Sequence, residues 1–150
     1  MAEYINELRE LIGHKPLILI GSTIIVMNDK KEILFQYRSD TKEWGLPGGA
    51  MEIAESLEQT AERELFEETG LKATSFNFFD ILSGSNLYYK YPNGVEVYNV
   101  ICVYIAQDTS GELAMNDGES LALKYFSVKE LPSQLDERAK LIIEKHFIYG

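Results

Sequence analysis

Residues 49–71 read GAMEIAESLEQTAERELFEETGL, and this segment carries more information than the rest of the chain. Seven of its 23 positions are glutamates, several spaced to share one face of a helix. Ser56-Leu57-Glu58-Gln59 is a capping-box sequence, in which a serine and a glutamine three residues on satisfy each other's exposed backbone amides. A helix is therefore predicted to begin near Leu57. Gly70 followed by apolar Leu71 suits a left-handed C-terminal cap. Between the caps, Leu57, Ala61 and Leu65 recur every four residues as an apolar stripe. At about 100° per residue, Glu68 falls inside that stripe and Glu64 on its edge. An inward carboxylate is costly unless something positive meets it, and Glu64 and Glu68, four apart, repel each other. A divalent cation answers both costs. Donors that are all oxygen suit Mg²⁺ or Mn²⁺, and Mg²⁺ usually arrives with substrate phosphates. Glu58 and Glu62 point away from Glu64 and read as solvated. Arg63 and Glu67, also four apart, can pair on the helix surface. Glu55 lies just before the cap, where its charge favours the helix N-terminus, and reads as mainly structural.

The segment resembles the Nudix box: a glycine, five residues, a glutamate, seven residues, Arg-Glu-apolar, one residue, Glu-Glu, one residue, Gly-apolar. Gly49, Glu55, Arg63, Glu64, Leu65, Glu67, Glu68, Gly70 and Leu71 fill those places without departure. The resemblance implies a Nudix-type α/β/α sandwich, with a mixed β-sheet between helices, over nearly the whole chain as one domain, residues 1–150. It implies that Glu64, Glu67, Glu68 and the Gly49 carbonyl hold Mg²⁺, with Mn²⁺ also admissible, and that Arg63 orients the catalytic carboxylates. It implies a hydrolase in which water attacks phosphorus, with Glu67, and after it Glu64, as the candidate general base. Similar proteins often place one more metal-binding or base glutamate late in the chain. Glu119, in the loop Asn116-Asp117-Gly118-Glu119, is the candidate, against a solvated loop acid. The implied substrate is a nucleoside diphosphate linked to another group: ADP-ribose, a nucleotide sugar, a dinucleoside polyphosphate or a (d)NTP. A proline that marks ADP-ribose hydrolases would fall near Asn86 and is absent. Tyr88 and Tyr89 match a tyrosine common in dinucleoside-polyphosphate hydrolases, although strands favour tyrosine anyway. Two further readings stay open, a non-catalytic nucleotide sensor and an RNA 5′-end pyrophosphohydrolase.

Trp44-Gly45-Leu46-Pro47-Gly48-Gly49 leads into the helix as a rigid loop whose glycines allow close backbone approach to a ligand. Trp44 is a candidate to stack on a base or sugar, or to pack beneath the loop. Arg38, ending a strand nearby, is a candidate phosphate ligand or an ordinary surface arginine. His14 and His146 fall at the ends of the terminal helices and read as structural. No Ser-His-Asp or Cys-His arrangement suggests a covalent nucleophile.

The net charge of −10 disfavours general nucleic-acid binding, which depends on basic contacts to phosphates. A small polyphosphate remains compatible, because bound metal inverts the local field. The single cysteine, Cys102, sits in an apolar run and reads as an inert core thiol. The N-terminus opens with a charged amphipathic segment rather than a signal peptide. The apolar run from Leu17 to Met27 is too short to span a bilayer. A cytoplasmic enzyme without membrane association is expected, and a homodimer is left open.

The periodicity predicts an N-terminal helix on Tyr4, Ile5, Leu8, Leu11 and Ile12, ended by Gly13. Strands are predicted over Leu17 to Met27, Ile33 to Tyr37, Ala73 to Ser83, Leu87 to Tyr91, Val95 to Ala106 and Ala122 to Phe126. Pro92-Asn93-Gly94 reads as a hairpin turn. A last helix turns Leu135, Ala139, Ile142, Ile143 and Phe147 inward.

Overall fold

The amphipathic start of the chain folds as helix α1 (Glu3–Ile12), closed by Gly13 at φ 66°. The computed structural model describes residues 3–116 and 118–148, so Asp117 of the loop singled out above lies outside it. Strands follow as β1 (Leu17–Ile25), β2 (Ile33–Arg38), β3 (Trp44–Gly45) and β4 (Gly48–Ala50). Helix α2 (Leu57–Thr69) precedes β5 (Ser75–Leu82), β6 (Tyr88–Lys90), β7 (Glu96–Gln107) and β8 (Ser120–Phe126). Helix α3 (Glu137–Ile143) ends the fold and widens into a π-helical turn, Glu144–Ile148.

Alternation along β1 and β7 sorts their side chains to two faces. Ile24, Val26, Cys102, Tyr104 and Ala106 meet Ala61 and Leu65 of α2 on one face. Ile25, Ile101 and Val103 meet Ala139, Ile142 and Ile143 of α3 on the other, where Ile5 of α1 also packs with Leu19 and Val97. The fold is thus mixed α/β, with helices on both sides of a mixed sheet. The β-layer is divided in two, a point the sequence pattern missed. One sheet runs β4-β1-β7-β5 with β6 also on β7, and the other runs β3-β2-β8. β1 and β7 are parallel, with Leu17 opposite Val97 through Ile25 opposite Ile105. The predicted hairpin joins β6 to β7, with Gly94 at φ 89° and its N–H donating to Tyr91 O at 2.9 Å.

Helix α2 begins and ends where its local signals place it. Ser56 Oγ accepts from the Gln59 N–H at 3.1 Å, and Gln59 Oε1 accepts from the Ser56 N–H at 2.8 Å. Gly70 closes the helix at φ 78°, its N–H on Phe66 O at 2.9 Å. The last helix starts later than the apolar pattern suggested. Asp136 caps it by accepting from the Arg138 and Ala139 N–H groups, while Leu135 stays outside and bridges to Trp44.

Two destabilisations follow in urea denaturation. Ser56→Ala is expected to cost about 1 kcal/mol by loss of one cap bond. Gly70→Ala is expected to cost more than that, because φ 78° disfavours an L-residue and the new Cβ would stand 2.6 Å from Glu112 O.

Candidate active site

The site forms where β4 meets β1 at very short range. Their antiparallel pairing sets Ser22 opposite Gly49. A Cβ on Gly48 would run into Ser22 O, and a Cβ on Gly21 would run into Gly49 O. A Cβ on Gly49 would strike the Glu64 carboxylate, so that group lies directly on the Gly49 backbone. Ser22 Oγ donates to Leu57 O at 2.7 Å and ties the first turn of α2 to β1.

Glu68 is 2% exposed, as its place within the apolar stripe requires. Its Oε1 accepts from the Gly48 N–H at 2.8 Å and its Oε2 from Gln36 Nε2 at 2.7 Å. Ser120 Oγ in turn donates to Gln36 Oε1 at 2.5 Å, which turns the Gln36 amide so that its NH₂ faces the carboxylate. Burial lifts the Glu68 pKa well above the usual carboxylate range and the charge of Glu64 adds to that, while Gln36 and Gly48 oppose it. Burial also pushes Glu64 up to about 7, against the pull of Arg63 and with help from Glu67 and Glu119.

Arg63 organises the remaining acids. Its Nε and Nη2 donate to Glu55 at 2.6 and 2.9 Å, and its Nη1 to Glu64 at 2.7 Å and Glu67 at 3.4 Å. Nη2 also reaches the Ala50 carbonyl at 3.0 Å. The Arg63 hydrogen bonds hold the Glu55 pKa at about 2, with the Glu52 N–H and Thr60 Oγ1 supporting the same carboxylate. Glu55 is therefore the partner Arg63 grips most closely, which the helix spacing did not indicate. Glu67 is half-exposed, and Glu58 and Glu62 face solvent.

Glu64, Glu67 and Glu68 line a cleft of about 540 Å³. Glu119 lines it, close enough for its charge to raise Glu64, and the Glu119 carbonyl accepts from the Ser39 N–H at 2.9 Å. Arg38 also lines it, its guanidinium held two-pronged by Asp40 at 3.0 and 3.0 Å. Trp44 stands apart from the lining. It packs with Tyr37 and Phe126, ring centroids 5.2 and 5.0 Å away. Tyr88 and Tyr89 are also outside the lining, whereas Tyr91 is part of it. Leu46, Ile101, Ala139 and Ile142 give the lining apolar groups, and Asn99, Asp136 and Arg138 give it polar ones. Arg138 is gripped by Asp136 at 2.7 and 3.2 Å and lies 4.5 Å over the Tyr89 ring. Sequence reasoning missed Gln36, Asn99, Ser120, Asp136 and Arg138. Only Asp136 carried a local signal, a capping residue ahead of an apolar helical pattern.

No three His, Cys, Asp or Glu side chains are spaced to close on one ion among the described residues. The donor chemistry nonetheless fits a hard divalent cation. Glu68 is buried with no cation in contact, Glu64 beside it keeps a raised pKa despite its pairing with Arg63, all the nearby donors are oxygens, and the Gly49 cradle leaves no room for a side chain. Glu64, Glu67, Glu68, Glu119 and the Gly49 carbonyl are the groups that would hold it.

A NUDIX domain model matches residues 19–146, and the chain belongs to the Nudix hydrolase family. A Bacillus subtilis relative, carried under the provisional name 8-oxo-dGTP diphosphatase, is 35% identical over 113 residues, which is 75% of this chain and 68% of that protein. An NAD-capped RNA hydrolase, NudC, of Mannheimia succiniciproducens is 31% identical over 137 residues, 85% of this chain but only 48% of its own length. The crystal structure of a MutT Nudix hydrolase from Burkholderia pseudomallei superposes with a TM-score of 0.73 at 26% identity, covering 86% of this chain and 98% of that one.

The raised carboxylates set a pH dependence. Glu64 ordinarily titrates at 4.5 and in the fold at about 7, so the folded protein holds a proton that the unfolded chain has released. Its stabilising contribution is complete below about 4.5 and is lost as pH rises to 7; Glu68 shifts the same way. Glu55 acts oppositely, losing its contribution as pH falls from 4.5 toward 2. A cation displaces the protons on Glu64 and Glu68, so its binding tightens as they leave. The rise in melting temperature caused by Mg²⁺ is therefore expected to be small at pH 5 and large at pH 8. A shift of equal size across that range in scanning calorimetry would sink the assignment. Gly49→Ala is expected to abolish the shift at pH 8 while far-ultraviolet circular dichroism stays unchanged.

Proposed function

We propose that this protein hydrolyses nucleoside triphosphates to a mononucleotide and pyrophosphate, with Mg²⁺ as its cation. The observation that carries this reading is one cleft lined both by Glu64, Glu67 and Glu68 beside the Gly48-Gly49 cradle and by the apolar Leu46, Ile101, Ala139 and Ile142 with Asn99 and Arg138 among them. The carboxylates suit a metal-bound polyphosphate. The apolar lining suits a flat nucleoside, with Leu46, Ile101 and Ile142 as walls and Asn99 and Arg138 to read its edge. About 540 Å³ is within the usual range for a small-molecule site. That volume and the net charge of −10 favour a free nucleotide over a polymer. The name of the Bacillus relative, an 8-oxo-dGTP diphosphatase, leans the same way.

Bound cation neutralises charge building on the diphosphate oxygens and lowers the pKa of water. The chain's own residues position and deprotonate. Arg63, anchored by Glu55 and the Ala50 carbonyl, holds Glu64 and Glu67 at set distances along the helix. Glu67 is the general base: it is half-exposed at the cleft and free of the close grip that Arg63 keeps on Glu55 and Glu64. It takes a proton from water as the water oxygen joins one phosphorus, and the bridging P–O bond breaks to release pyrophosphate. Gln36 and Gly48 keep the Glu68 carboxylate facing the cradle.

The test is product identity across (d)NTPs, ADP-ribose, nucleotide sugars, dinucleoside polyphosphates and triphosphorylated RNA, with Mg²⁺ or with EDTA. Pyrophosphate released from a (d)NTP is expected with Mg²⁺ only. Glu67→Gln is expected to lower kcat by about 10²–10⁴-fold with little change in KM. Turnover confined to another member of the panel would replace the proposed substrate. Tight nucleotide binding without any turnover would favour the sensor.

A further inference from the structure

Along β2, Leu34, Gln36 and Arg38 alternate onto the side of the sheet that faces α2. Leu34 packs in the apolar cluster there, Gln36 reaches Glu68, and Arg38 lines the cleft. Antiparallel pairing sets Tyr125 of β8 opposite Leu34 and Leu123 opposite Gln36, so both share that side and pack against the same cluster. Plain alternation would bring Leu121 there next. It does not, because the register slips between Tyr37 and Arg38: Tyr37 pairs with Ala122, and Arg38 with Ser120. The bulge passes over Leu121, which is 51% exposed, and turns Ser120 inward, where it is 7% exposed. Its hydroxyl there meets the amide of Gln36, itself 1% exposed. A leucine in that place would leave the Gln36 carbonyl without a donor. The amide could then turn its oxygen toward Glu68 and set two acceptors against each other.

We propose that Ser120, turned inward by the β8 bulge, and Gln36 are positioning residues for the divalent cation, holding Glu68 and Glu119 in one frame without touching the ion. The inference rests on the reading of those two acids as cation ligands. Each carboxylate oxygen of Glu68 receives one hydrogen bond, from the Gly48 N–H or from Gln36, and keeps a second lone-pair direction for an ion. Gln36 is a neutral donor, so it orients the carboxylate without discharging it. A lysine or arginine in its place would supply the positive charge that the cation brings. The same bulge fixes Glu119 from the other side. Glu119 directly precedes Ser120, and its carbonyl accepts from the Ser39 N–H at 2.9 Å, one residue past Arg38. A shift of Ser120 therefore reaches Glu119 through the chain and Glu68 through the Gln36 amide. Groups that orient metal ligands in this way carry roughly 10–100-fold in metal affinity.

Mn²⁺ titrated into the cation-free full chain at pH 8, with the free ion read by electron paramagnetic resonance, gives a dissociation constant that involves no turnover. Ser120→Ala and Gln36→Met are each expected to raise it roughly tenfold, with circular dichroism unchanged. Ser120→Thr, which keeps the hydroxyl, is expected to hold it near the parent value. Glu119→Gln is expected to raise it as well. Ser120→Ala combined with Glu119→Gln should raise it by less than the product of the two single effects, as residues in one network do. A parent that binds no Mn²⁺ overturns the cation reading and this inference with it. A parent that binds, with folded Ser120→Ala and Gln36→Met variants that bind equally well, overturns the positioning role alone. Effects of Ser120→Ala and Glu119→Gln that multiply independently overturn its extension to Glu119.

Discussion

Arg63 stands among carboxylates that would otherwise repel one another across a few ångströms. Its guanidinium reaches Glu55, Glu64 and Glu67 and the Ala50 carbonyl, and so joins the loop before α2, the helix itself and the end of β4. Charge-assisted bonds of this kind are short and directional, and the planar fork fixes angles as well as distances. With Glu55 locked by one edge of the fork, the other edge is positioned along the helix, and Glu64 and Glu67 inherit that position. A lysine could match the charge but not the geometry, because its ammonium cannot address three carboxylates and a carbonyl in one plane.

Glu68 is held by another means. It is buried, receives one backbone N–H and one side-chain amide, and has no arginine in contact. Hydrogen bonds compensate part of the burial cost of a charge but not all of it, and the residual strain shows in its raised pKa. The two glutamates on one helix face are therefore prepared unequally: Glu64 is partly neutralised by Arg63, and Glu68 is left to protons or a cation. This imbalance concentrates demand for positive charge at the cradle.

Much of this was legible in the sequence, for reasons that can be traced to range. Helix α2 was readable end to end because Ser56, Gln59 and Gly70 act within one turn of themselves. The burial of Glu68 followed from helix angle alone. Glu55 as the main partner of Arg63 was not readable, since the two are brought together by a loop rather than by helical spacing. Gln36 and Ser120 lie far from Glu68 in the chain, and no local pattern ties a strand amide to a helix acid. The division into two sheets depends on β1 pairing with β7 across most of the sequence, and periodicity carries no information on pairing order. The short strands β3 and β4 hid inside a glycine-bearing stretch that also reads as a turn. Trp44 kept two readings open because an aromatic ring suits a ligand and a core equally well, and its neighbours Tyr37 and Phe126 come from distant strands.

The close contact of β4 with β1 changes what the 23-residue signature amounts to as a unit. Gly21, far upstream of it, must lack a side chain for the Gly49 carbonyl to sit where it does, and Ser22 holds the first turn of the helix. The signature is thus one half of a mould whose other half is an unremarkable stretch of β1. Grafted onto another helix and loop, the same letters would supply the acids without the wall they lean on. A transplant would have to carry the Gly21-Ser22 backbone with it, in register, to rebuild the recess.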